Sequence, residues 1–431
     1  MHPLLPRASP SRAALGSFVC QSCRRSLRRF SVTSGRQGTA TQHRSPPPPP
    51  PPPPSGYARL TSRRLVSVSG RDAPRFLHGI ITQSVVDEQS TSGRQRHSSS
   101  SSAPVHRLAT AHAPGFYGAF LNATGRVLHD VFVYRDSLGL GGAADGEAFV
   151  VEVDAEQVQV LARHIGRYKL RSKLQFRVLD EGEAAAWQVW DDSSPSPAPQ
   201  LRDSIVLPDT RAPGMGSRVL RRRRGTDQLD LDQEQSDDAA YRVRRYLLGV
   251  AEGQAEIPRE QALPLEANMD VTGGVDFHKG CYVGQELTIR TRHRGVVRKR
   301  ILPCLLYPSS SSPSSPPREL EYSPDDGTSA EDVPPGLSIG RDGAKGRSAG
   351  TWLRGVGNVG LALCRLQIMT DVELPGETAA GAPFNPDTDE FVVKWGADEQ
   401  GSNGQSVKIK AFVPEWLRER LREDNASAST H

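Results

Sequence analysis

The chain has 431 residues, room for two or three domains, but 34 prolines, a 36% hydrophobic share and a mean hydropathy of −0.49 leave only part of it for packed core. No uninterrupted apolar run reaches membrane-spanning length, so no transmembrane helix is expected. The net charge of +5 is concentrated: residues 1–30 carry six arginines and no acid, and without them the balance is one negative charge, which argues against DNA and RNA as partners.

Residues 1–30 read as a mitochondrial presequence, since the first acidic residue is Asp72 and the stretch before it is rich in Arg, Ser and Ala. Arg28-Arg29-Phe30 before Ser31 resembles a matrix-peptidase site. Cys20-x-x-Cys23 has metal-ligand spacing but no second pair to complete a tetrahedral site. Residues 31–56 form a disordered linker whose nine prolines, Pro46 to Pro54, favour a stiff polyproline helix.

A first α+β unit is expected over 57–180. Leu65, Val66 and Val68 read as a strand, and Gly70-Arg71-Asp72 turns into a helix with Asp72 as N-cap, Pro74 in its first turn and Phe76, Leu77, Ile80 and Ile81 inward. Arg94 to Pro104 is a serine-rich insertion. Gly115 to Leu121 and Val127 to Tyr134 form a hairpin across Asn122-Ala123-Thr124-Gly125-Arg126, Phe149 to Val153 is a strand, and Glu156 to Tyr168 is a helix burying Val158, Leu161 and Ile165. Leu174 to Leu179 returns to strand.

A second α+β unit is expected over 181–295, with Trp187 to Trp190 a strand and Ala239 to Val250 a helix. Asp191 to Pro199 and Arg221 to Asp238 read as insertions, the latter a self-neutralised disordered loop of four arginines and following acids. Residues 296–420 are assigned to a C-terminal β-barrel with strands at Gly355 to Cys364, Phe391 to Trp395 and Val407 to Val413, a loop insertion at 308–348, and a tail at 421–431. Neither a dinucleotide fingerprint, a Walker lysine motif nor a G-x-S-x-G elbow occurs.

The densest chemistry lies in Lys279-Gly280-Cys281-Tyr282-Val283-Gly284-Gln285-Glu286. Lys279 favours the thiolate of Cys281 if the fold brings them together, and Gly280 and Gly284 allow sharp turns. Arg290-Thr291-Arg292-His293-Arg294 follows, a run able to dock an anion. The octet fills every fixed position of the K-G-C-[FY]-x-G-Q-E signature and so resembles the folate-binding YgfZ-type relatives of the glycine-cleavage T-protein. Leu65 to Leu77, Gly118 to Tyr134 and Gly357 to Arg365 resemble that family's other recurrent segments, so the similarity spans about Tyr57 to Pro414.

The resemblance implies two α+β units and a β-barrel round a central folate pocket. A tetrahydrofolate needs apolar walls, a few hydrogen bonds and cations for its carboxylate tail. Arg292 and Arg294 are candidates for the tail, and Asn122, Arg126, Asp130 and Glu266 for the polar groups, with Tyr282, Gln285 and Glu286 from the signature alongside. It also implies a mitochondrial matrix factor for late [4Fe-4S] assembly, working with A-type scaffold proteins and supporting aconitase and lipoate synthase. Cys281 is then the functional thiol, and any transient iron-sulfur cluster is shared with a partner, because three scattered cysteines after residue 30 cannot supply four thiolates. The alternatives are a folate-dependent aminomethyltransferase using Asp130 as its carboxylate, and a folate-linked factor in tRNA modification.

Overall fold

The computed structural model describes residues 48–86, 113–142, 146–193, 199–223, 225, 228–309, 316–324, 327–343, 346–374, 384–396 and 404–428. The presequence, most of the linker and the insertion at 94–104 lie outside the described residues. The end of the proline run is docked: the Pro53 carbonyl accepts from Trp190 Nε1 at 2.9 Å and the Pro49 carbonyl from the Tyr322 hydroxyl at 2.5 Å.

The chain enters through β1 (Ser55–Arg59) and β2 (Arg63–Ser69), followed by α1 (Ala73–Ile80), β3 (Gly115–Leu121), β4 (Val127–Arg135), β5 (Ala148–Asp154), α2 (Val158–Lys169) and β6 (Gln175–Val178). A first antiparallel sheet runs in the order β3-β4-β5-β2-β6. Alternation along its strands sorts side chains to two faces. Val66, Val68, Val131 and Val133 pack with Phe76, Leu77, Leu161 and Ile165 under α1 and α2. Leu65, Phe132, Tyr134 and Val150 face the other way. Asp72 sits at the N-cap position, but its carboxylate accepts from the Lys173 backbone N–H at 2.7 Å instead of from a helix N–H.

The second sheet is built from β7 (Ala184–Asp191), β8 (Ser204–Pro208), β9 (Ser217–Arg222) and β10 (Glu234–Ser236), and is followed by α3 (Asp238–Leu248) and α4 (Gln285–Arg294). Its order is β10-β1-β7-β9-β8, so the first strand of the chain lies in the second sheet. The expected loop at Arg221 to Asp238 is corrected. Arg221 and Arg222 end β9, Leu229 is buried against Tyr57 and Trp187, and β10 pairs parallel with β1. Charge balance hid these short apolar contacts.

The barrel comprises β11 (Lys299–Tyr307), β12 (Ser338–Arg341), β13 (Gly350–Val356), β14 (Val359–Arg365), the short α5 (Leu366–Met369), β15 (Phe391–Trp395) and β16 (Gln405–Ala411), closed in the order β11-β14-β13-β12-β15-β16. The insertion expected at 308–348 is corrected in its second half: β12 is a barrel stave, and Ala330, Val333 and Ile339 are buried in the barrel core. Of the expected tail, residues 421–428 are the end of α6 (Glu415–Ala428), whose Trp416, Leu417 and Leu421 are buried, and the rest lies outside the described residues. One apolar cluster joins Phe132 and Tyr134 of the first sheet, Ile205 and Leu220 of the second, and Ile301, Leu305 and Leu361 of the barrel.

Candidate functional site

The signature lies in the loop that leads into α4 and is stitched to the C-terminal end of α1. A helix end leaves carbonyls without intrahelical donors and carries partial negative charge. Lys279 answers both needs. Its ammonium donates to the carbonyls of His78 (2.6 Å), Ile81 (2.8 Å) and Gln83 (2.9 Å) and lies 4.9 Å from the centre of the Tyr282 ring. These bonds make Lys279 a clamp for the loop. Val283 N–H donates to the Gly79 carbonyl at 3.1 Å, and Thr82 and Gln83 side chains donate to Gly274 and Gly273, both at 2.6 Å.

Tyr282 is buried, and burial, with Asp276, pushes its phenol up; its hydroxyl has no hydrogen-bond partner among the described residues. The Gln285 side chain turns back to accept from the Tyr282 backbone N–H at 3.2 Å. Gly284 (φ 82°) lies against the β3–β4 turn, where a Cβ would come within 2.3 Å of the Asn122 carbonyl oxygen. Glu286 is exposed in the first turn of α4, where a carboxylate suits the helix dipole. Cys281 is free and exposed. The octet therefore spends its lysine, tyrosine, second glycine and glutamine on holding one loop, and presents the thiol to solvent.

The other two described cysteines behave differently. Cys304 and Cys364 are buried inside the barrel with their sulfurs 3.9 Å apart, and burial together with Cys364 pushes the Cys304 thiol well up.

Asn122 accepts from the Thr124 and Arg126 backbone N–H groups, at 3.0 and 2.9 Å, and so shapes the hairpin turn. Arg126 donates to the Gln261 carbonyl at 2.5 Å. Glu266 lines a cavity of about 340 Å³ between the Leu263–Glu266 segment, α4 and the start of β11, with Leu287, Thr288, Lys299 and Arg365 among its walls. Burial pushes the Glu266 carboxyl up, against the pull of Lys299, Arg126 and Arg365. The Thr288 hydroxyl is buried and has no hydrogen-bond partner among the described residues. Arg292 stands over the Phe277 ring at 5.0 Å, away from this lining, and the side chain of Arg294 lies outside the described part.

Asp130 is placed elsewhere. It is fully buried on the inner face of β4, accepting from Arg63 (3.3 Å) and from the Gly253 N–H (3.1 Å); burial pushes its carboxyl up, with Arg63 opposing. It belongs to an ion network between the two sheets. Arg63 and Arg218 both reach Glu152 at 2.8 Å, and Arg218 and Arg211 both reach Glu252 at 2.8 Å. Burial works to raise the Glu252 carboxyl, but Arg218, Arg211 and Arg63 outweigh it and hold it well below its usual range. Sequence reading missed this network and the cavity's Thr288, Lys299 and Arg365. A signal existed for the network: Arg63, Glu152 and Arg218 occupy positions where strand alternation turns a side chain inward.

Residues 298–419 match the family model described as the CAF17 C-terminal beta-barrel domain. The glycine cleavage system aminomethyltransferase T of Bartonella henselae shares the fold, with a TM-score of 0.52 at 12% identity over 85% of this chain and 87% of that one. The two α+β units and the closed barrel thus make an aminomethyltransferase-like fold. Among curated relatives, the mitochondrial iron-sulfur cluster assembly factor IBA57 homolog of Pyricularia oryzae is 52% identical over 86% of this chain and 87% of its own length. The homologs of Chaetomium globosum (48%, covering 94% of each chain) and Neurospora crassa (43%, covering 97% of this chain and 92% of its own) agree. The chain belongs to the IBA57 family of mitochondrial iron-sulfur cluster assembly factors.

Proposed function

We propose that this chain acts in the mitochondrial matrix at the late, [4Fe-4S] stage of cluster assembly, with Cys281 as the thiol that meets cluster and partner. The observation that carries the reading is the contrast inside the signature, where the residues around Cys281 are anchored and its sulfur is exposed. A thiolate on a rigid loop is a soft ligand that a second protein can reach. No group of three or more His, Cys, Asp or Glu side chains suited to a metal occurs among the described residues. The remaining ligands of a transient cluster would come from the partner, for which A-type scaffold proteins are the candidates, with aconitase and lipoate synthase as the enzymes served.

A tetrahydrofolate fits the cavity beside α4. Its size is in the range of small-molecule sites, Leu263, Leu265 and Leu287 supply apolar wall, and Thr288 and Glu266 are polar groups for ring nitrogens. Lys299 and Arg365 suit a carboxylate tail. Bound there, the folate would brace α4 and hence the Cys281 loop. Aminomethyl transfer is the weaker reading, because Asp130 is enclosed by Arg63, Gly253 and Gln254 instead of being offered to a reacting nitrogen.

Depleting the protein from mitochondria tests the assignment. Aconitase and lipoate-synthase activities should fall while a reconstituted glycine-cleavage reaction runs unchanged. Turnover by the purified chain with tetrahydrofolate and a lipoyl-carrier substrate would refute it.

A further inference from the structure

At the end of α2 the chain turns through Lys169-Leu170-Arg171-Ser172, closed by the Ser172 N–H donating to the Lys169 carbonyl at 2.8 Å. Leu170 holds φ 42° and ψ −110°. That is the first central position of a type II′ turn, where glycine is the usual occupant because a Cβ is crowded. The chain keeps a leucine there and leaves it 87% exposed, the one large hydrophobic side chain so exposed among the described residues. A strained backbone is tolerated when something over-determines it, and this side chain adds little to any core that could do so.

At the tip Arg171 and Lys173 are exposed and Lys169 is half-buried, and Arg167 and Arg163 follow, exposed, about one and two turns back along α2. None of these five side chains has an ion-pair or hydrogen-bond partner among the described residues. Asp72, the acid on this edge, already accepts from the Lys173 backbone N–H. The helix dipole gives a reason for cations in the last turn, Arg167 and Lys169, but not for Arg163, Arg171 and Lys173 outside it.

We propose that this tip is a peripheral docking site for an anionic bilayer surface, with Leu170 entering below the phosphates and the five cations lying among them. Charge complementarity favours this occupant. A protein interface needs an extended, well-packed patch, whereas Leu170 stands alone. One apolar side chain within a cluster of Lys and Arg is enough for weak, reversible, salt-sensitive attachment to anionic lipid.

The test uses the full chain carrying Leu170→Trp, with phosphatidylcholine vesicles made with or without phosphatidylglycerol. The five native tryptophans emit as well, so the tip is read as the difference in emission between Leu170→Trp and the parent chain under the same conditions, which removes attachment through any other basic stretch. This difference emission should shift to the blue only with phosphatidylglycerol present, and the shift should weaken in high salt. Arg163→Glu, Arg167→Glu and Arg171→Glu should each lower the vesicle affinity of this tip by about fivefold or more. Leu170→Gly, read by vesicle affinity alone, should bind less tightly yet melt no lower than the parent chain, because glycine fits that backbone. Unchanged emission on anionic vesicles overturns the proposal, as does a shift that survives the charge reversals or one elicited only by an acidic protein.

Discussion

Gly125 in the β3–β4 turn and Gly284 in the signature close on each other, both at φ 82°, so tightly that a Cβ on Gly284 would lie 3.3 Å from the Cα of Gly125. On the other side, a Cβ on Gly125 would come within 2.9 Å of the Gly284 carbonyl oxygen and of Leu287 Cβ. The hairpin of the first sheet thereby serves as the seat for the Cys281 loop and for α4. Two backbones can approach this closely only where both lack side chains.

Gly284→Ala should therefore destabilise the chain by about 2 kcal/mol or more, since it adds a clash with the Asn122 carbonyl to an unfavourable φ. Denaturant unfolding checks the magnitude. Gly139, also at positive φ but with open space around its Cβ position, is the control and should lose less when changed to Ala.

Lys279→Met should cost about 2 kcal/mol, because it strips the donor from three carbonyls at the end of α1 while keeping much of the side chain's bulk. Hydrogen exchange should quicken at Ile81 and Val283, whose N–H groups bond within this junction. Equal protection in parent and variant would count against the clamp.

Arg218→Met should be more damaging, by about 3–5 kcal/mol, because Glu152 and Glu252 would each lose a buried partner. The loss falls at the join between the two sheets. Both should unfold earlier in a denaturant titration.

His129 gives the fold an acid sensitivity. It is buried on β4, and burial, then Arg259 and His164, push its imidazole down to about 3, with Gln254 opposing. The unfolded side chain takes up its proton near pH 6.5, so this contribution is complete above that value and is lost as pH falls towards 3. By about pH 5 the loss is on the order of 2 kcal/mol. His129→Leu should melt at least as high at neutral pH and decline less on acidification; an unchanged acid slope would contradict the assignment.

Much of the first unit was legible because its apolar residues repeat with the period of their element. The helix burying Leu161 and Ile165 follows from that period, and the hairpin from two apolar runs joined by the turn-forming Asn122 to Arg126. β10 and β12 were not legible. Three or four residues are too few to show a period, and Ser, Gly and charged neighbours disguise Leu229 and Ile339 as loop. The site divides in the same way. The signature pointed to Cys281, but the destination of the Lys279 ammonium depends on α1, some 200 residues earlier in sequence, to whose end His78 belongs. Asp130 looked like an available carboxylate because its partners Arg63 and Gly253 are remote in sequence.

The most direct measurement compares Cys281→Ser with Cys304→Ser and Cys364→Ser in cells lacking the parent gene, reading [4Fe-4S] enzyme activities beside thermal melts of the purified chains. Cys281 is exposed and outside the core clusters, so its serine variant should melt within about 0.5 kcal/mol of the parent yet fail to restore aconitase and lipoate synthase. The barrel variants should do the reverse, losing about 1–3 kcal/mol through a buried hydroxyl in an apolar interior while restoring activity as far as they fold. A Cys281→Ser chain that is folded and fully restores both enzymes would contradict the thiol's role.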